Sequence, residues 1–294
     1  MSNVTRRGML KGVAAGAAIT AMNATGLPTT KAATAASAEL KGNINFAVTM
    51  GFGRKYPIDE FLPAVKAMGI QAIDLAGPDL WPKLAEHGLV CSVGSGAGMG
   101  LRTGFNQPEL HDDLVADYSE LIPKAAEAGV PNVIVFSGNR QEGMDDETGA
   151  KNCAEGLKRL MPLCEETGVN LVMELLNSKV NHAGYQCDKT PWGAAMCELV
   201  GSPRMQLLYD IYHMQIMEGD IIRTIQTYKD RIAHYHVAGN PGRKDPDDTQ
   251  EIYYPAVMRA IVETGFDGYV AFEYSPKEED RLPELERAIG ILDV

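Results

Sequence analysis

The sequence is poor in basic residues, since its 294 residues contain 27 lysines and arginines against 39 acidic residues, a formal net charge of −12. A nucleic-acid partner is therefore not expected, because phosphate binding requires a basic surface. The sequence also lacks a run of about 20 strongly apolar residues, so a stable membrane span is not expected either. At 45% hydrophobic and 22% charged residues, the composition is typical of a folded globular protein rather than a disordered one.

Close pairs of cysteines are also missing. The five cysteines are odd in number and none forms a Cys-x-x-Cys pair; they are Cys91, Cys153, Cys164, Cys187 and Cys197. This spacing excludes a zinc ribbon and a thioredoxin-type redox site. We therefore expect free, buried thiols.

Acidic residues are absent from the first 38 residues, which carry four basic ones. Arg6, Arg7 and Lys11 precede a weakly apolar stretch from Gly12 to Ala24, and small residues follow up to Ala38. This order is typical of an export signal, and the paired arginines resemble the twin-arginine type, whose route carries folded proteins. The sequence thus predicts a periplasmic or otherwise exported protein. The alternative is a disordered basic tail on a cytoplasmic protein.

The remainder, residues 39–294, has 256 residues and a net charge of −16, from 23 basic and 39 acidic residues. Its length suits a single (β/α)8 TIM barrel domain. Short β-rich apolar runs alternate there with longer amphipathic stretches, as in repeated βα units. The eight expected strands are 44–49, 72–76, 89–93, 132–137, 170–175, 206–210, 232–237 and 269–273. The expected helices are 58–68, 80–87, 110–128, 147–167, 191–200, 220–229, 254–264 and 283–289.

A doubly wound sheet is the alternative fold. It would require a glycine-rich turn after its first strand, and Gly51-Phe52-Gly53 lacks the third glycine of a dinucleotide-binding motif. Eight units in about 250 residues fit the closed barrel better.

Four strands of the second half end in residue types that bind metals. Glu174, Asp210, His236 and Glu273 should converge on one rim, because active sites of TIM barrels lie at the carboxyl ends of the strands. Three carboxylates and one imidazole suit a divalent metal ion such as Mn²⁺, Mg²⁺ or Co²⁺. His234 should be a buried, hydrogen-bonded histidine below the site. The alternative is that each acid merely caps a strand or pairs with a base.

Several segments resemble the xylose-isomerase-like barrel superfamily, with hydroxypyruvate isomerase closest and the ketose 3-epimerases next. They are Glu174-Leu-Leu-Asn177, Tyr209-Asp210-Ile-Tyr-His213, His236-Val-Ala-Gly-Asn-Pro-Gly-Arg243 and Phe272-Glu273-Tyr274. The resemblance implies that Glu174 and Glu273 are both metal ligands and the acid–base pair, and that Asp210 and His236 complete the metal shell.

The same resemblance implies that His213 and Arg243 hold substrate oxygens or a carboxylate. Val180 stands where the epimerases carry a further substrate-binding acid, so the loop from Asn177 to His182 is expected to shape the pocket. Arg243 favours a small keto acid through bidentate contacts, although it could instead be an exposed loop arginine. His213 is expected in a loop over the site.

The expected activity is metal-dependent movement of a proton through an enediolate, as in the conversion of hydroxypyruvate to tartronate semialdehyde. The alternatives are a ketose 3-epimerase or sugar isomerase, a non-catalytic sugar-binding barrel and an abasic-site endonuclease. The nuclease would need additional histidines at early strand ends, and the charge disfavours it. The expected partner is a small-molecule keto acid or sugar, and the sequence leaves a homo-oligomer open.

Overall fold

The computed structural model describes residues 40–97 and 100–294. The expected export signal, and with it the expected domain boundary after residue 38, lies outside these described residues. Within them, no helix combines the length and hydropathy that crossing a membrane requires.

Parallel strands of the described chain form one sheet that curls into a nearly closed barrel. The strands are β1 (Asn45–Thr49), β2 (Ala72–Asp74), β3 (Val90–Cys91), β4 (Val93–Gly94), β5 (Asn132–Val135), β6 (Asn170–Glu174), β7 (Met205–Asp210), β8 (Ile232–Val237) and β9 (Tyr269–Phe272). Their order in the sheet is β3-β2-β1-β9-β8-β7-β6-β5-β4. The first and last strands therefore pair, and the expected TIM barrel is confirmed.

Helices follow the strands, as the repeated βα pattern predicts. They are α1 (Met50–Gly53), α2 (Ile58–Ala67), α3 (Trp81–Glu86), α4 (His111–Glu127), α5 (Asp146–Lys158), α6 (Met161–Thr167), α7 (Thr190–Val200), α8 (Ile211–Met217), α9 (Ile221–Tyr228), α10 (Tyr254–Glu263) and α11 (Arg281–Leu292). The short helices α1 and α8 were not expected from the sequence.

The expected third strand, 89–93, is divided in the structure. The chain bends at Ser92, so β3 pairs with β2 and β4 pairs with β5. The Ser92 carbonyl accepts a hydrogen bond of 3.0 Å from the side chain of Asn132. The two edges of the sheet therefore meet at this bend. The Leu75 N–H donates to the Val93 carbonyl there, and the Ser95 N–H donates to the Ala76 carbonyl.

The prediction of a single helix at 147–167 is also wrong, because the chain forms two helices, α5 and α6, with a break at Arg159 and Leu160. Pro162 lies in the first turn of α6. A proline has no amide hydrogen to donate to the carbonyl four residues earlier, here that of Lys158, so one continuous helix is interrupted at this point.

Apolar side chains fill the barrel below the polar rim. Val93, Ile134, Val172 and Leu208 form one buried cluster. Residues two apart on a strand face the same side, so the residues that follow Val172 and Leu208 on the inner face are Glu174 and Asp210. The site thus lies one layer above a packed apolar floor, as in other TIM barrels.

All five cysteines are free and buried, which confirms the expectation from their spacing.

Candidate functional site

The four expected ligand residues meet at the carboxyl ends of four adjacent strands. Glu174 and Asp210 are the last residues of β6 and β7, His236 is the penultimate residue of β8, and Glu273 directly follows β9. One side-chain oxygen or nitrogen from each of them lies within 4.8 Å of the others. The sheet order places these strands side by side, so residues as far apart as 174 and 273 become neighbours.

The imidazole of His236 is the centre of this group. Its Nδ1 lies 2.7 Å from Oε2 of Glu273, 3.3 Å from Oε1 of Glu174 and 3.9 Å from Oδ2 of Asp210. Burial alone would lower the pKa of His236, but the surrounding carboxylates, Glu273 foremost, raise it well above its ordinary value. One cation is therefore favoured at the point where the three carboxylates meet.

The two glutamates have different proton affinities. Burial raises the pKa of Glu174 to about 7, and the nearby charges of Glu273 and Asp210 add to the effect. Burial also acts to raise the pKa of Glu273, but the positive charges of His236 and Arg243 outweigh it and lower that pKa. Pairs of acids whose pKa values are moved apart are typical of acid–base sites.

Unpaired polar atoms indicate that the group is built for a ligand. Oδ2 of Asp210 and Nε2 of His213 are buried and have no hydrogen-bond partner among the described residues. Leaving such atoms unpaired costs free energy, about 1–3 kcal/mol each. Carboxylate oxygens with one imidazole nitrogen are suitable donors for a hard divalent cation, so the residues fit the expected metal.

Arg243 lies inside the site and is not an exposed loop residue. Its Nη2 is 2.7 Å from Oε2 of Glu273 and 3.5 Å from Oδ2 of Asp210, and its guanidinium lies 5.8 Å from the centre of the Tyr212 ring. Only 26% of its side chain is exposed. Its backbone has a φ of +53°, an unfavourable conformation for a residue with a side chain, which is typical of functional sites.

His213 lies on α8, not in a loop as expected from the sequence. The Asp210 side chain caps this helix by accepting a 2.9 Å hydrogen bond from the backbone N–H of His213. Burial lowers the pKa of His213 to about 2, with the Arg243 charge acting in the same direction. His213 is therefore a neutral imidazole, and its Nε2 lies 3.7 Å from Oδ2 of Asp210.

The loop after β6 is held by Asn177. This fully buried side chain has its Nδ2 at 2.5 Å from Nδ1 of His213, and its Oδ1 accepts from the backbone amides of Val180 and Asn181. His182, at the end of the loop, packs edge-on against the His213 ring at 5.1 Å. Asn177 thus supports His213, while His182 is the member of the loop that reaches the cavity.

A cavity of about 370 Å³ opens beside this rim. Its charged and imidazole lining residues are Glu174, Glu273, Arg243 and His182. Apart from Ser95 and Gly96, the remaining lining residues are apolar, and they are Leu75, Leu101, Ile134, Phe136 and Leu176. Of the four residues expected to contact substrate, Arg243 and His182 line the cavity, whereas His213 and Asn177 are buried and lie outside its lining.

Asp74 is the residue of the site that the sequence did not single out. It ends β2, is fully buried, and its Oδ2 lies 2.7 Å from Nε2 of His236. Its other oxygen lies 3.2 Å from Nε2 of His234, which is buried below the rim as expected. An acid at the end of the apolar segment Ala72-Ile73-Asp74 is the signal that would have identified it.

Comparison with known proteins gives the same architecture. Residues 47–292 match the family model described as xylose isomerase-like TIM barrel. The chain is 26% identical over 246 residues to the 2-oxo-tetronate isomerase of Pectobacterium atrosepticum, covering 78% of this chain and 93% of that protein. It is 27% identical over 192 residues to the hydroxypyruvate isomerase of Escherichia coli, covering 65% and 68% of the two chains.

Among solved structures, a D-psicose 3-epimerase from Clostridium cellulolyticum superimposes with a TM-score of 0.71 at 16% identity, covering 85% of this chain and 100% of that one. At this identity the likeness concerns the fold. The family match, in contrast, extends over nearly all of the described residues. The chain therefore belongs to the xylose isomerase-like TIM barrel family.

Proposed function

We propose that this protein is a divalent-metal-dependent isomerase of small hydroxy-keto acids, with the conversion of hydroxypyruvate to tartronate semialdehyde as its reaction. The observation that carries the proposal is the convergence of Glu174, Asp210, His236 and Glu273 on one rim, beside a partly buried arginine. The relatives named hydroxypyruvate isomerase and 2-oxo-tetronate isomerase support the same reaction class.

The metal would be held by Glu174, Asp210, His236 and Glu273. A divalent cation in this position supplies a Lewis acid that polarises a carbonyl group and acidifies the adjacent C–H. Mn²⁺, Mg²⁺ and Co²⁺ are the ions that such a donor set favours.

Glu174 is positioned to remove the proton. It lies at the boundary between the rim and the cavity, where its carboxylate can reach a bound substrate. Glu273, which lies beside the same Nδ1 of His236 as Glu174 and also lines the cavity, would return a proton to the neighbouring carbon. Return to the opposite face of the same carbon would instead make the enzyme an epimerase.

Arg243 favours an acid over a neutral sugar. Its Nε is buried and has no hydrogen-bond partner among the described residues, so a donor remains for an anionic ligand. The five apolar side chains in the cavity lining provide no partners for the additional hydroxyl groups of a hexose. A three- or four-carbon keto acid satisfies both features, because its carboxylate binds arginine and its short chain leaves few hydroxyls unpaired.

The test is proton NMR of hydroxypyruvate in heavy water, with enzyme that is first chelated and then supplied with Mn²⁺, Mg²⁺ or Co²⁺. We expect turnover only with metal, and a loss of about 10²-fold or more in kcat for Glu174→Gln. Glu286→Gln, which alters an exposed glutamate on α11, is the matched control and should behave as wild type.

Three results would contradict the proposal. They are full activity after chelation, full activity of Glu174→Gln, or tight ligand binding without any turnover, which would indicate a sugar-binding barrel. Exchange and inversion at a ketose carbon, with no reaction of hydroxypyruvate, would favour the epimerase alternative. The position of the incorporated deuterium distinguishes these reactions.

We also infer that residues 1–38 direct export by the twin-arginine route, on the evidence of their sequence alone. Replacing Arg6 and Arg7 together by lysine should retain the protein in the cytoplasm with its full mass. The unaltered chain should appear in the periplasm with Glu39 at its N-terminus. Cytoplasmic retention of the unaltered chain would contradict this inference.

A further inference from the structure

Asp74 is the point at which the second strand of the barrel contacts the proposed metal site. Its carboxylate is fully buried and lies on β2, which is not adjacent to β8 in the sheet. It nevertheless reaches His236 across the barrel interior, at 2.7 Å from Oδ2 to Nε2. A buried carboxylate at this distance from a ring nitrogen is a strong, charge-assisted hydrogen bond.

The contact with Asp74 determines which nitrogen of His236 keeps its proton and which one is available to bind a metal. A carboxylate accepts hydrogen bonds and donates none, so the nitrogen beside it, Nε2, must carry the proton. His236 is protonated on both nitrogens in the metal-free site, and a divalent ion would displace the proton of the other nitrogen and leave a free electron pair there. That nitrogen is Nδ1, the atom that lies among Glu174, Asp210 and Glu273.

The carboxylate of Asp74 is itself held in place. Ser92 donates its hydroxyl to Oδ1 at 2.5 Å, and Nε2 of His234 lies 3.2 Å from the same oxygen. The Ser92 contact comes from the bend that divides the third strand of the barrel. Leu75, which follows Asp74 and lines the cavity, has a φ of +53°. The chain thus adopts a strained conformation directly beside this aspartate.

Asp74, His234 and His236 are close enough to suggest a second metal group. Oδ2 of Asp74 and Nε2 of His236 lie at the distance of a direct hydrogen bond, and this group has one carboxylate where the group around Nδ1 has three. Ser92 occupies the other oxygen in the same way. The arrangement corresponds instead to a carboxylate that orients a metal-binding histidine.

We propose that Asp74 is a positioning residue that acts through His236, fixing its ring and its Nε2–H tautomer so that Nδ1 binds the divalent ion. This inference rests on the proposed metal site. It assigns Asp74 no contact with the substrate and no proton transfer.

The first test measures Mn²⁺ affinity by electron paramagnetic resonance. Asp74→Ala should bind Mn²⁺ about 10–100-fold more weakly than wild type, the usual effect of removing such a partner. Asp74→Asn should lie between them, because its amide oxygen still accepts from Nε2–H without the charge. Glu284→Gln, a buried carboxylate on α11 that accepts from the backbone amides of Lys277 and Glu278, is the matched control and should bind as wild type.

A double-mutant cycle distinguishes positioning from general damage to the fold. If Asp74 acts through His236, then adding Asp74→Ala to His236→Gln should cause little further loss of Mn²⁺ affinity. An equal loss in both backgrounds would overturn the proposal. So would wild-type affinity in Asp74→Ala.

Nitrogen NMR of the wild-type protein keeps the test independent of how well the variants fold. In the Mg²⁺-loaded protein, which is diamagnetic, His236 should carry its proton on Nε2. A proton on Nδ1 would overturn the proposal. If wild type binds neither Mn²⁺ nor Mg²⁺, the proposed metal site itself fails, and the proposal for Asp74 fails with it; unchanged affinity in Asp74→Ala affects Asp74 alone.

Discussion

At the residue scale, Arg243 has two roles, one toward Glu273 and one toward the substrate cavity. It neutralises Glu273, from which its Nη2 is 2.7 Å distant, and it lines the cavity in which a substrate carboxylate would bind. Burial alone would lower the pKa of the guanidinium, but the carboxylates of Glu273 and Asp210 raise it, so the group stays charged. A planar guanidinium binds two carboxylates at once, which the point charge of a lysine does less well.

We expect Arg243→Lys to raise KM for hydroxypyruvate by about 10–100-fold, since a hydrogen bond to a charged group contributes about 1.5–3 kcal/mol. The effect on a neutral ketose should be much smaller. Steady-state kinetics with both substrates check this, with Lys244→Ala as the neighbouring control. Equal effects on both substrates would contradict carboxylate recognition.

The cysteines lead to a prediction about reactivity. Burial raises the pKa of Cys91, Cys164 and Cys197 to about 12 each, so at pH 8 they remain thiols rather than the reactive thiolates. A disulfide reagent such as DTNB should therefore label the native protein slowly and all five cysteines rapidly in guanidinium. Rapid labelling of one thiol in the native protein would contradict this burial.

Part of the site could be predicted from individual residues, and part could not. Glu174, Asp210 and Glu273 were recognisable because each acid ends an apolar strand, and strand ends meet on one rim. Asp74 was hidden because the segment 72–76 was expected to be one strand, which placed the acid in its middle. The strand in fact ends at Asp74, and only the fold brings residues 74 and 236 together.

At the scale of elements, the short helix α8 fixes the position of His213 relative to Asp210. This helix has only seven residues and begins directly after β7, and its N-cap, Asp210, is also an expected metal ligand. So short a helix has no clear periodicity in the sequence, which explains why His213 was expected in a loop. The bend at Ser92 and the break before Pro162 depend in the same way on side-chain contacts and single residues rather than on hydrophobic pattern.

The two roles of Asp210 can be separated by substitution. Asp210→Asn keeps an acceptor for the backbone N–H of His213, whereas Asp210→Ala loses it. We expect both variants to lose metal affinity, and Asp210→Ala to be less stable than Asp210→Asn by about 1 kcal/mol, the usual contribution of a helix N-cap. Urea unfolding of the metal-free proteins measures the difference. Equal stability would contradict the capping role.

At the scale of the whole molecule, the barrel brings like charges together. Glu174, Asp210 and Glu273 come from three strands, and their carboxylates share one buried space with the imidazole of His236. In the absence of a divalent ion, the protonated His236 and the guanidinium of Arg243 offset part of this charge. A bound divalent ion would take over that role, so metal affinity and folding stability should be linked.

We therefore expect Mn²⁺ to stabilise the folded barrel. A ligand that binds only the folded state contributes about 2.7 kcal/mol at a concentration 100 times its Kd. For a domain of this size, each kcal/mol raises Tm by about 2–4 °C, so the expected shift is about 5–10 °C. The shift should be lost in Glu273→Gln at the same Mn²⁺ concentration and retained in Glu286→Gln. Calorimetry in the presence and absence of a chelator measures it, and an unchanged Tm with Mn²⁺, Mg²⁺ and Co²⁺ would contradict a metal site at this rim.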